Sequence, residues 1–230
     1  MGLFYRALRI PGVFLRYRVI GLENVRHDGP ALYVANHLTT LGPLLFFFAL
    51  PIRFYPWIKA DLVDSRRSPD YLYKEFVQPV LHLKGQPGLA LARICSWFSV
   101  PLLRRLGSIP VESGTDWTGK AFRISLVRLL ENKHLLIFPE DTAREQDPRT
   151  GIYAFACGFA ELCRLYQERT GHHLPVYPMA VHPARKVIAI AEAEFYQTQG
   201  NRRESVRRFG EQVQERIRQL YLDVQDGLLA

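Results

Sequence analysis

Ala31-Leu-Tyr-Val-Ala-Asn-His-Leu-Thr-Thr-Leu-Gly-Pro-Leu-Leu45 is the stretch on which the fold turns. Residues 31–35 read as a short buried strand. The polar pair Asn36-His37 stands where that strand ends. Gly42-Pro43 then opens an apolar run, residues 44–50, long enough for about two helical turns. A proline at the first helical position with a glycine before it marks a helix start. A polar pair at the end of a buried strand is where α/β folds place their chemistry, so Asn36 and His37 are the first candidate functional residues.

The totals bound what surrounds this stretch. The chain has 230 residues, 48% of them apolar, enough for a sizeable buried core and too apolar for disorder. The formal net charge of +8 suits an anionic partner, such as a membrane surface or an acidic substrate. No recognised nucleic-acid module accompanies that charge, so no nucleic-acid partner is expected. Cys95, Cys157 and Cys163 are too few and too irregularly spaced for a disulfide framework or a zinc site, and they fit a reducing compartment. No uncharged apolar run approaches the ~20 residues of a membrane span, and no secretory signal is expected at the start. Residues 1–18 instead form a short basic amphipathic segment, with Leu3, Phe4 and Leu8 among Arg6, Arg9, Arg16 and Arg18. Such a segment suits attachment to an anionic surface, and equally a helix packed on the domain.

Outward from the central stretch, strands and helices alternate. Strands are expected at 14–20, 52–58, 135–138, 175–181 and 187–191, and residues 107–112 read as a turn and a short strand. Residues 65–88 read as an inserted helical excursion. Residues 89–106 are amphipathic, with a break at Pro101. Asp116 caps a helix to about Glu131, with Phe122, Leu126, Leu129 and Leu130 on one stripe. Residues 139–150 form a charged loop, and residues 153–166 a helix. Val206, Phe209, Val213, Ile217, Leu220 and Val224 recur in steps of three and four and give a C-terminal helix. This pattern predicts a single α/β domain over 19–230, with a central, mostly parallel sheet flanked by helices.

Four phrases, in order between residues 19 and 181, resemble motifs of the glycerophosphate and lysophosphatidate acyltransferase family. Asn36-His37 and Pro43-Leu-Leu45 match a first motif of Asn-His, four residues, then Asp-Pro. Gly107-Ser-Ile-Pro-Val-Glu-Ser113 is similar to Gly-x-Ile-Pro-Val-Asp-Arg. Phe138-Pro-Glu-Asp-Thr-Ala-Arg144 is similar to Phe-Pro-Glu-Gly-Thr-Arg. Val176-Tyr-Pro-Met-Ala-Val181 is a strand with an internal proline, like the last motif. The phrase Val19-Ile-Gly-Leu-Glu-Asn-Val25 resembles the approach to the first motif.

The resemblance implies an acyltransferase-like fold. It implies transfer of a fatty acyl group from an acyl thioester, on coenzyme A or acyl carrier protein, to a hydroxyl of a lipid or alcohol acceptor. The thioester is a co-substrate, and no bound cofactor or metal is implied. The setting would be phospholipid or related lipid synthesis, peripheral on the cytoplasmic face of a membrane. An alcohol is a poor nucleophile near neutral pH, so a base beside the acceptor is needed, and His37 takes that role. Asn36, Glu112, Pro139, Glu140, Thr142 and Arg144 are the implied substrate-binding residues.

The departures matter as much. Gly42 stands where the motif has Asp, the residue that orients the imidazole and stabilises its charged form. In serine proteases, loss of such a carboxylate lowers the rate by about 10⁴, or roughly 5 kcal/mol. Glu140, Glu112, Asp141 and Asp61 are the carboxylates that folding could bring near His37 instead. Ser113 and Ala143 replace arginines, and Asp141 adds negative charge. Arginine is the usual bidentate phosphate ligand, so these changes weaken a phosphate site and point to a neutral or different alcohol as acceptor. A second reading keeps the scaffold as a catalytically degraded module that binds lipid or acyl chains.

Overall fold

The computed structural model describes residues 17–25, 28–37, 46, 49–112 and 119–229. Residues 1–16, Gly42, Ser113 and Asp116 lie outside that set, so the amphipathic segment and the helix cap stay expectations. The α/β domain read from the sequence is present, with a mostly parallel sheet and flanking helices. Its packing gathers into two compact units, one ending at Phe54 and resuming at Ser125, the other running from Tyr55 to Ile124.

The first unit is built on β1 (Arg18–Ile20), β2 (Ala31–Ala35), β5 (His134–Ile137), β6 (Pro175–His182), β7 (Val187–Ile190) and β8 (Glu194–Phe195). Their order is β1-β7-β6-β2-β5, with β8 pairing β6. β2 runs parallel to both neighbours, in the registers Val34↔Ile137 and Ala35↔Met179. β7 and β8 return antiparallel along β6. Every residue of β2, β5, β6 and β7 is buried, as continuous apolar runs require of central strands. Tyr33 stacks on its cross-strand partner Tyr177 at 5.0 Å and meets Phe54 edge-on. Helix α6 (Arg202–Gln225) packs on β6 and β7, and it also packs against α5 (Gly158–Thr170).

Pro178 sits inside β6 without breaking it. The N–H and C=O of one strand residue point to the same side, and the Pro178 carbonyl accepts from Ala191. The missing N–H therefore falls in the gap between the β8 and β7 pairings, so no bond to β2 is lost.

The second unit holds most of β3 (Phe54–Lys59), paired in parallel with β4 (Ile109–Val111). Between them come α1 (Ser68–Leu72), a π turn over Tyr73–Val77, α2 (Gln78–Leu81) and α3 (Gly85–Leu106). Helix α3 begins earlier than expected and runs straight through Pro101. A proline here removes only the bond to the Trp97 carbonyl, and both residues lie on the exposed face, where water can replace it. Gly88, Ala92, Ser96, Val100 and Leu106 hold the opposite face in the core.

Two further boundaries differ. In α4 (Lys120–Leu130) the buried stripe is Ala121, Phe122, Ser125 and Leu129, and Leu130 faces solvent. Helix α5 starts at Gly158, not Tyr153. Residues 153–155 are extended because Tyr153 pairs with Gln146 and Phe155 with Glu140, and the buried Gln214 on α6 accepts from the Phe155 amide at 2.9 Å.

Gly21 and Gly29 both have left-handed φ, +77° and +82°. They differ in surroundings. A Cβ at Gly21 would meet the Ile190 carbonyl oxygen at 2.1 Å, whereas nothing lies within 4 Å of one at Gly29. Asn24 donates to that same Ile190 carbonyl at 2.9 Å, which ties the chain before β2 to β7. We expect Gly29→Ala to lower stability by about 1 kcal/mol, from the backbone alone. Gly21→Ala should lower it by about 3 kcal/mol or more, because backbone must also shift. Urea unfolding of the two variants would check this, and equal losses would contradict it.

Candidate active site

Three strands end side by side, and their carboxyl ends define the site. The β2–β5 register pairs Val34 with Ile137. Continued three residues further, it sets His37 opposite Glu140, and the two do meet: Glu140 Oε1 accepts from the His37 backbone N–H. The first and third sequence phrases are thus joined by strand register alone, across a separation of 103 residues.

On the other side of β2, Asn36 extends the ladder to β6. Its side chain is fully buried. Its Oδ1 accepts from the Val181 amide at 2.7 Å, and its Nδ2 donates to the Val181 carbonyl at 3.1 Å. The carboxamide imitates one more peptide unit of a strand. The backbone at Asn36-His37 is thereby released from β6 and free to turn towards Glu140. The geometry gives Asn36 a strut's role towards β6.

Glu140 is held between two backbone donors. Oε2 accepts from the Tyr153 amide at 2.9 Å, and the Glu140 backbone bridges Phe155. Burial pushes its carboxyl above the usual range, and the amides of His37 and Tyr153 only partly offset that. A carboxylate kept here is maintained against its own desolvation. Such groups concentrate at functional sites.

His37 itself is exposed, and its ring meets Phe138 edge-to-face at 5.3 Å. Phe138 in turn lies against the buried Phe46 at 5.6 Å. One side of the imidazole is therefore packed on an apolar ring.

The remaining predicted residues are placed as follows. Pro139 is buried, and its carbonyl accepts from Ala156 at 2.8 Å. Thr142 is exposed on the charged loop. Arg144 is also exposed, with Nε on Asp141 at 3.0 Å and one terminal nitrogen on the Phe155 carbonyl at 3.3 Å. Its guanidinium staples the loop. Asp141 additionally accepts from the Ala143 amide. Glu112 lies in the second unit, where Arg67 binds both of its oxygens and also pairs with Asp61 and Asp64. Arg67 holds the Glu112 carboxyl below its usual range. Among the described residues, no group of three His, Cys, Asp or Glu side chains could hold a metal ion.

Sequence reasoning missed Tyr153, Phe138, Val181 and Gln214. Tyr153 and Val181 act through backbone groups, which leave no residue signature. Gln214 did leave one: a polar residue beside Val213 and Ile217 on the buried stripe of a helix needs a partner inside.

No family model matches the sequence, and no curated protein matches it. Among solved structures, the fold is similar to the crystal structure of the 1-acyl-sn-glycerophosphate (LPA) acyltransferase PlsC from Thermotoga maritima. The TM-score is 0.58 at 15% identity, and the match covers 96% of this chain and 79% of that one. At that identity the likeness is one of fold.

Two substitutions test the geometry. Asn36→Ala leaves the buried amide and carbonyl of Val181 without partners and should cost about 2 kcal/mol or more. Glu140→Gln copies the shape of the protonated carboxyl. The raised native pKa adds stability below about pH 4.3, which is lost as pH rises through the raised value. Glutamine, however, sets an NH2 against one of the two backbone N–H donors, so Glu140→Gln should be less stable than wild type in acid, with the gap narrowing towards neutrality as wild type loses its own contribution. Unfolding free energies across that pH range would show the gap narrow, and parallel curves would contradict it.

Proposed function

We propose that this protein transfers a fatty acyl group from a thioester to a hydroxyl in lipid synthesis. One observation carries the reading: the Asn36-His37 and Phe138-Pro139-Glu140 phrases converge at the carboxyl ends of adjacent parallel strands. The likeness in fold to an LPA acyltransferase over 96% of the chain supports it.

In this reading His37 is the general base. It takes the proton of the acceptor hydroxyl as the oxygen attacks the thioester carbonyl. The tetrahedral intermediate collapses, the C–S bond breaks, and the proton passes from the imidazolium to the departing thiolate. Glu140 is a positioning residue. It grips the His37 backbone and sets where the ring stands against Phe138. The donor is an acyl thioester of coenzyme A or acyl carrier protein. The acceptor is a hydroxyl on a lipid or alcohol without a phosphate to be gripped. Arginine is missing at positions 113 and 143, and Arg144 is engaged by Asp141 and the Phe155 carbonyl. Thr142, exposed on the loop after Glu140, would border the acceptor, while Asn36 and Pro139 support the site from beneath. We place the work peripherally at the cytoplasmic face of a membrane, a setting that three free cysteines fit.

Gly42 favours a second reading, in which the same scaffold binds acyl chains or lipid without turning them over. Thiol release from acyl-coenzyme A donors, with neutral and phosphorylated acceptors, separates the two. Wild type should show acceptor-dependent release, strongest with a neutral alcohol. His37→Ala should lower it by about 10²–10⁴. Gly42→Asp should raise it. Activity only in Gly42→Asp would support the binding module, and silence in all three folded proteins would overturn acyl transfer for these substrates.

A further inference from the structure

The outward face of α3 is apolar and uncovered. Trp97 is 72% exposed, Phe98 63% and Ile94 55%. These residues are spaced three and four apart, so they share one face, and Trp97 and Phe98 meet edge-on at 4.5 Å. Pro101 continues the same face one turn later and is also exposed. In the chain before α3, Val80, Leu81 and Leu83 are each also more than 40% exposed. Soluble surfaces scatter single apolar residues, but a contiguous aromatic and aliphatic face marks a contact surface.

Charge says what kind of contact. No acidic residue occurs between Glu75 and Glu112, whereas Lys84, Arg93, Arg104 and Arg105 fall in that interval. Arg93 is exposed beside Ile94, and Arg104 and Arg105 are exposed past Pro101. On α3 itself the exposed charges, Arg93, Arg104 and Arg105, are all cationic, while the exposed Asp70 and Glu75 lie on the preceding turns that pack against it. Cationic side chains interleaved with exposed tryptophan and phenylalanine on one helix face match an anionic headgroup layer over acyl chains. No helix among the described residues is long and apolar enough to cross a membrane, so the contact would be in-plane.

We propose that α3 docks the protein on an anionic bilayer, with Ile94, Trp97 and Phe98 in the headgroup–acyl boundary and the arginines at the phosphates. This takes from the preceding section only that the substrates belong to a membrane, and it is read out by binding, not turnover.

The experiment is flotation of the full chain with vesicles of equal parts phosphatidylcholine and phosphatidylglycerol, or of phosphatidylcholine alone. Wild type should float with the anionic vesicles, and less so in high salt. Trp97→Ser/Phe98→Ser should partition at least about tenfold more weakly. Arg93→Gln/Arg105→Gln should lose about tenfold on anionic vesicles and little on neutral ones. Both pairs are exposed, so thermal unfolding should stay near wild type. Quenching of Trp97 fluorescence by brominated acyl chains, lost in Trp97→Phe, gives a second reading of insertion. Wild type that fails to float would overturn the proposal. So would a serine variant that floats as well as wild type, since the contact would then lie elsewhere. A wild-type dimer dissociated by the serine pair, without vesicle binding, would also overturn it and assign the face to self-association. Vesicle binding without turnover on detergent-dispersed substrates would sink acyl transfer and leave the docking face standing.

Discussion

The Asn36 carboxamide on Val181 is the contact on which the site depends. A parallel ladder has no natural stop: each peptide that pairs commits the next to the same direction. Asn36 satisfies the last rung with a side chain, so the main chain can leave the sheet one residue later. His37 then arrives with its amide free for Glu140 and its ring against Phe138. The contact is also fully buried, so an error there exposes two backbone groups to an apolar interior.

Glu140 shows the opposite economy. It is a poor stabiliser, since burial raises its carboxyl and folding would prefer it protonated. Its charge gains from two amides, one of which belongs to His37. Such a group is best understood by what it positions.

Much of this was legible in the chain. The strand at 31–35, the sheet class and the C-terminal helix followed from apolar runs and helical spacing, which report burial directly. That Glu140 meets His37 was not: it was one of four carboxylates that folding could bring near, and only the β2–β5 register singles it out. Other features were not legible. Helix α5 starts five residues later than expected because Phe155, Phe159, Leu162 and Tyr166 have helical spacing, while strand-like bridges to Gln146 and Glu140 and the distant Gln214 override it at Tyr153 and Phe155. The stapling of Arg144 to Asp141 turned a candidate ligand into loop architecture, and no local pattern distinguishes the two. Pro101 was read as a break because sequence shows the missing N–H and not the exposed side on which it falls.

That exposed proline has a consequence of its own. By withdrawing one donor, it leaves the Trp97 carbonyl reliant on water at the middle of the apolar face. A carbonyl without a partner is expensive in hydrocarbon and inexpensive among headgroups. In the docking proposed for α3, Pro101 would act as a depth gauge: it would let the aromatic side chains reach down while keeping the helix backbone at the level of the phosphates.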